Sequence, residues 1–397
     1  MRIPRIGPGA IVTAAFIGPG TVTTCLRAGV DFRYALLWAL VFATVGTIVF
    51  QEMAARLGVV AEIGLGEAIR RRFDRQRMLY WFAAALVVGA IGLGNAAYQT
   101  GNLLGAASGL QILGGGRTSW WGLAVGLLAS LFLWRGSYRL LERLLVTLVV
   151  LMSVVFIATA IAVVHDTGDL LAGLVVPRLP EGSDLVALAL IGTTIVPYNL
   201  FLHSNAARER WRGAERLGDA RADLGIAIVL GGLISMAILI TGAAQFGAAI
   251  DSPAQMAVML EPVLGRWATT FFAIGFFAAG MTSAITAPMA AAYAVSGVLG
   301  WVQDLRSPLV RLVWMTVMAI GVGFTLTDVQ PVPAILFAQA ANAILLPAIA
   351  IFLMIVMNDR RQLKGSTNGV LANVMGVAIV ALTMLLSAVS VWRLVIR

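Results

Sequence analysis

Two short stretches of this 397-residue chain hold the residues whose types and spacing could bind something: Phe16-Ile17-Gly18-Pro19-Gly20-Thr21 and Thr193-Thr194-Ile195-Val196-Pro197-Tyr198-Asn199. In each, a proline stands in the middle of an apolar run. Proline has no amide hydrogen and its ring collides with the preceding turn, and glycine has little helical preference, so a helix entering either stretch must break. Hydrocarbon tolerates the freed carbonyls, such as those of Phe16, Ile17 and Thr193, only where protein covers them or they line a cavity. Phe16, Ile17, Gly18, Gly20, Thr21, Thr193, Thr194, Val196, Tyr198 and Asn199 are therefore the candidate binding residues. Gln339 joins them, with Asn342 beside it in an apolar run, because a buried amide in a span needs a partner and a solute path can supply one.

Three further groups bear on coupling. Thr282 and Ser283 precede Pro288; such hydroxyls usually bond back to their own helix, and otherwise they can help to coordinate sodium. His203 falls inside an apolar segment and is the side chain whose ordinary pKa suits a coupling proton; the alternative is a histidine held by a hydrogen bond in a packed helix. Asn95, Gln99 and Asn102 follow a helical period, so they either bond neighbouring helices or line the path. The glycines at 92 and 94 formally match a dinucleotide pattern, but no strand precedes them and they lie inside an apolar segment, which excludes that reading. The lone cysteine, Cys25, allows no internal disulfide. No catalytic constellation appears, so neither an enzyme nor a cofactor is expected.

The elements that must position these residues are spans. At 60% hydrophobic and 12% charged, the chain is far from soluble averages. Apolar windows long enough to cross about 30 Å of hydrocarbon fall near 10–30, 34–57, 79–105, 119–134, 141–164, 184–206, 224–247, 267–298, 309–325, 331–357 and 370–392, which predicts eleven spans. With the N-terminus cytoplasmic, 21 of the 28 basic residues fall in cytoplasmic segments, including Arg70, Arg71, Arg72, Arg360 and Arg361. That bias predicts a multi-pass protein of the cell membrane with its C-terminus external. The net charge of +9 is then a topology signal and not a nucleic-acid footprint. The expected partners are a small solute or ion and the bilayer, and a monomer is compatible with the sequence. Residues 62–77 read as a short interfacial helix with a basic face, 165–184 as an acidic solvated connection, and Gly101, Gly105 and Gly109 as points of close helix approach. No Asp or Glu lies in the interior of an expected span.

The first interrupted stretch, then Phe50-Gln51-Glu52-Met53-Ala54-Ala55-Arg56-Leu57-Gly58, then Val196-Pro197-Tyr198-Asn199-Leu200-Phe201-Leu202-His203-Ser204, together resemble the Nramp family of metal transporters over essentially all spans. The resemblance implies an all-α, LeuT-like fold with broken first and sixth helices and two inverted five-helix repeats. These would cover about 10–164 and 184–357, with an added helix at about 370–392. It also implies alternating access by rocking one bundle against the other. Where members of that family read Asp-Pro-Gly-Asn, this chain reads Gly18-Pro19-Gly20-Thr21; where they read Met-Pro-His-Asn, it reads Val196-Pro197-Tyr198-Asn199. Gly18, Thr21 and Val196 thus replace the family's carboxylate, amide and thioether ligands, leaving Thr21, Asn199 and Gln339 at most to face a metal. Three expectations follow: a divalent metal, including hydrated magnesium; a small anion or zwitterion held at the helix N-termini; or a non-transporting sensor, as in a plant ethylene-signalling protein with an Nramp-like domain.

Overall fold

The computed structural model describes residues 17–136, 139–164, 166–363 and 365–396. In chain order the α-helices are α1 (Pro19–Phe32), α2 (Leu37–Arg56), α3 (Leu65–Phe73), α4 (Arg77–Gly114), α5 (Thr118–Arg135), α6 (Arg139–Val163), α7 (Thr167–Val175), α8 (Asp184–Thr194), α9 (Pro197–Arg210), α10 (Leu217–Ala243), α11 (Pro253–Val258), α12 (Glu261–Leu264), α13 (Ala268–Leu299), α14 (Pro308–Thr325), α15 (Pro331–Met357), α16 (Arg360–Leu363) and α17 (Val370–Ile396). Among the described residues nine stretches are long and apolar enough to cross a membrane, α8 and α9 together forming one of them. The other two expected spans coincide with α5 and with α1, whose upstream part lies outside the described residues.

Both breaks are present where proline requires them. α1 starts on Pro19 behind an extended Gly18, and α9 starts on Pro197 behind an extended Val196. Proline suits the first helical position because its missing N–H has no intrahelical partner there and its φ is already set. α8 stops at Thr194, so residues 195 and 196 alone separate the two halves of the sixth span.

The helices pack through small residues, since lipid supplies little hydrophobic drive between spans and close approach must supply dispersion instead. α4 runs the length of α13. A Cβ at Gly109 would stand 2.5 Å from the carbonyl oxygen of Ala273, and one at Gly280 would stand 2.5 Å from the amide of Ala106. Pro288 lies inside α13 and cannot donate to the carbonyl four residues earlier. The Gln99 side chain replaces that donor, its Nε2 lying 3.0 Å from the oxygen of Ala284, while Asn95 donates to Ala287 at 3.0 Å. These two amides therefore bond a neighbouring helix.

At the arginine-rich end the expected interfacial helix is α3, its apolar side buried and Arg70, Arg71 and Arg72 in its last turn. Arg56 is buried and donates to the carbonyls of Ser366 and Thr367 at 3.0 Å each and to Glu52 at 3.1 Å, and Glu52 also accepts from Arg221 at 2.7 Å. The segment 165–184 is largely exposed, as expected of a solvated connection, and it contains the helix α7. His165 lies outside the described residues, but Asp166 caps α7 by accepting from the Asp169 amide at 3.0 Å, a bond that holds its carboxyl below the usual carboxylate range. Arg33 pairs with Asp169 at 3.1 Å, and Gly173 seats α7 on the Tyr34 backbone. The capping pattern of Asp166 and Asp169 was the available signal.

Candidate functional site

Gly105 of α4 faces the Pro19 ring so closely that a Cβ at 105 would overlap it, and this contact seats the first break in the bundle. The residue before Pro19 is also tightly enclosed. A Cβ at Gly18 would stand 2.9 Å from Ser283 Oγ and 3.7 Å from the Tyr98 hydroxyl, so α4 and α13 both reach the broken end of α1. The Tyr98 ring meets Tyr198 of α9 edge to face, with centroids 5.4 Å apart and planes at 67°. The two breaks are therefore joined through an aromatic pair on one side.

On the other side they are joined by hydroxyls. Thr21 Oγ1 and Thr193 Oγ1 are 2.9 Å apart, both buried, linking α1 directly to the end of α8. Gln339 of α15 fits between the same two elements. Its side-chain amide presses on Gly20 and its backbone carbonyl on Gly192, each contact leaving no room for a Cβ. Among the described residues Gln339 Oε1 is buried without a hydrogen-bond partner, as are both polar atoms of the Asn199 side chain and Ser283 Oγ. Buried polar atoms of this kind cost free energy unless something bonds them, so their grouping around two helix breaks makes this the candidate place for a polar solute.

The sequence candidates sort as follows. Ile17, Gly18, Gly20, Thr21, Thr193, Thr194, Val196, Tyr198, Asn199 and Gln339 are all buried at or beside the breaks, whereas Phe16 lies outside the described residues. The Thr194 hydroxyl is occupied by its own helix, donating to Leu190 at 2.9 Å, and its carbonyl accepts from Thr47 at 3.2 Å. Thr282 likewise donates to Ala278 at 2.8 Å, leaving only its lone pairs for an ion. Ser283 is the hydroxyl of that pair that reaches the break. His203 is fully buried one turn beyond Asn199, and neither ring nitrogen has a partner. Sequence reasoning passed over Tyr98 and Gly192, and read Gly105 only as a point of close helix approach, which it is. Tyr98 shares the face of Asn95 and Asn102 at spacings of three and four, which was signal enough for it; nothing in sequence pairs Gly105 with Pro19 or Gly192 with Gln339.

The chemistry available is neutral oxygen: hydroxyls of Thr21, Thr193, Ser283 and Tyr98, and amides of Asn199 and Gln339. Among the described residues no group of three His, Cys, Asp or Glu lies close enough to hold a metal ion. The residues that precede the two helix halves, Gly18 and Val196, make no side-chain cap bond.

Comparison with known proteins gives three kinds of likeness. The model of the family described as "Natural resistance-associated macrophage protein-like" (Nramp) matches residues 9–393. A divalent metal cation transporter, MntH, of Yersinia pestis (strain Pestoides F) is 30% identical over 308 residues, which are 75% of this chain and 73% of that protein. Its counterpart in Erwinia tasmaniensis is 28% identical over 362 residues, covering 88% of this chain and 86% of that one. The crystal structure of a manganese transporter from Eremococcus coleocola superposes with a TM-score of 0.78 at 25% identity, covering 97% of this chain and 85% of that chain. The transporter Mhp1 of the nucleobase-cation-symport-1 family shares the fold at a TM-score of 0.56 and 13% identity, covering 96% of this chain and 91% of that chain.

Proposed function

The chain belongs to the Nramp family of membrane transporters, and from that membership we propose that it is a secondary transporter moving a divalent metal cation that keeps part of its water shell. Its broken helices would hold the ion near mid-membrane while one bundle rocks against the other, the inverted repeats covering about 10–164 and 184–357. The observation that carries the substrate reading is the donor set. Thr21, Thr193, Ser283, Asn199 and Gln339 surround the breaks with neutral atoms only. A manganese or iron ion stripped of water needs carboxylate charge or soft donors in a low-dielectric site. Magnesium gives up water reluctantly and asks the protein for few direct ligands, so neutral amides and hydroxyls that bond its waters suit it better.

Calorimetric titration of the purified protein tests this. Magnesium should bind weakly and manganese no more tightly. The Gly18→Asp, Thr21→Asn, Val196→Met variant should gain tight manganese binding. Because a side chain at 18 runs into Ser283, the gain should be larger when Ser283→Ala is added. Tight manganese binding by the unmodified chain would contradict the reading. The buried helix N-termini at Pro19 and Pro197, whose cap residues Gly18 and Val196 make no side-chain bond, favour a second substrate class, a small anion or zwitterion, since each helix N-terminus stabilises negative charge by about 0.3–1 kcal/mol and up to about 2 when partly buried. Heat from glycine or sulfate with none from magnesium would select that class instead.

A further inference from the structure

Away from the helix breaks, two cavities open side by side on the outer face of the bundle where α15 and α17 diverge. One, of about 780 Å³, has walls of Ile351, Met354, Ile355, Val377, Val380 and Met384, and ends at Arg72, Arg360 and Arg361 beside Asp359. Its neighbour, of about 650 Å³, is walled by Phe73, Leu79, Phe82, Leu86 and Pro347 and shares Ile351, Ile355 and Met384 with the first. Ile351 is 41% exposed, Val377 59% and Met384 51%, on helices apolar enough to span a membrane, so this face meets lipid.

The polar end is unbalanced. Asp359 is the one carboxylate on the cavity wall, and it is already engaged: it pairs with Arg72 at 3.6 Å and accepts from the Arg361 amide at 2.9 Å and from Gln362 at 3.3 Å. The guanidinium groups of Arg360 and Arg361 are exposed and make no ion pair among the described residues. Three arginines against one occupied carboxylate call for an anion at the membrane surface, and two apolar clefts parting from a common wall call for two hydrocarbon chains. A free anion has no use for the clefts, and an uncharged lipid has none for the arginines.

We propose that this place binds one anionic phospholipid, its phosphate on Arg72, Arg360 and Arg361 and its two acyl chains in the two clefts. Basic pockets between spans on the face that carries the basic loops are suited to such headgroups. The lipid would tie α17 to α3 and α15, next to the point where Gln362 donates to the Ala68 carbonyl of α3 at 3.2 Å.

Native mass spectrometry and thermal unfolding of the detergent-purified protein test the proposal, with dioleoyl phosphatidylglycerol, dioleoyl phosphatidylcholine and inorganic phosphate as probes. Phosphatidylglycerol should bind one per chain and raise the unfolding midpoint at a concentration at least tenfold below that at which phosphatidylcholine acts. Inorganic phosphate should do neither. Arg360→Gln with Arg361→Gln should abolish this preference while leaving the lipid-free midpoint in place, because both side chains are exposed and unpaired. Ala381→Trp, which fills the first cleft and leaves the arginines intact, should abolish it independently. Equal effects of the two lipids, a preference that survives both variants, or a rise reproduced by phosphate would overturn the proposal. So would a dimer that phosphatidylglycerol dissociates, since a second copy would then own the surface.

Discussion

Asn199, Ser283, Gln339 and His203 are the residues that most need explaining, because each buries polar atoms that no neighbour bonds. In a bundle held together by close apolar packing, leaving a donor or acceptor unmet costs about 1–3 kcal/mol each, and an Asn with both ends unmet beside a helix break is more useful to a passing solute than to the fold. His203 stands apart from the hydroxyl and amide cluster by one helical turn. We propose that it can carry a coupling proton, in which case His203→Gln should flatten the pH dependence of transport. An unchanged profile would return His203 to the packing. Sodium coupling would rest on Ser283 and on the lone pairs that Thr282 keeps while donating its proton to Ala278; transport that continues equally when sodium is replaced by potassium, in the unmodified chain, removes that option.

At the scale of elements, α4 is the strut that positions the rest. It seats Pro19 at Gly105, brings Tyr98 to Gly18 and Tyr198, and bonds the carbonyls that Pro288 leaves unserved in α13. The last point is testable by a double-mutant cycle. Gln99→Ala strands the Ala284 carbonyl and should cost about 1–3 kcal/mol. In the Pro288→Ala background residue 288 regains an amide for that carbonyl, so the same Gln99→Ala change should cost much less, a coupling readable by thermal unfolding. Equal costs in the two backgrounds would mean that Gln99 does not serve the proline. Such interplay also shows what sequence can and cannot disclose. Both helix breaks were legible because proline and glycine act locally, and so was the helical period of Asn95, Gln99 and Asn102. The wedge of Gln339 between Gly20 and Gly192 was not, because it joins residues 319 and 147 positions apart and depends on crossing angles that no local pattern encodes. The 165–184 connection is largely exposed, as its acidic composition suggests, but composition alone did not disclose α7, which Asp166 caps and Arg33 ties down through Asp169.

For the whole molecule, we propose from the charge bias that the Glu52, Arg56 and Arg221 network and the clefts between α15 and α17 face the cytoplasm. Reporter fusions should then place the N-terminus inside and the C-terminus, after eleven spans, outside; a cytoplasmic C-terminus would mean one span fewer or one more. On that orientation the two breaks lie in the middle of the bundle and the α3, α16 and α17 contacts lie at its inner rim. If the neutral site between the breaks carries a cation with its water, as proposed, magnesium should enter proteoliposomes containing the purified chain. That flux should saturate, equimolar manganese should barely inhibit it, and Asn199→Ala should abolish it. Manganese flux that outcompetes magnesium, or magnesium flux indifferent to Asn199, would contradict the proposal.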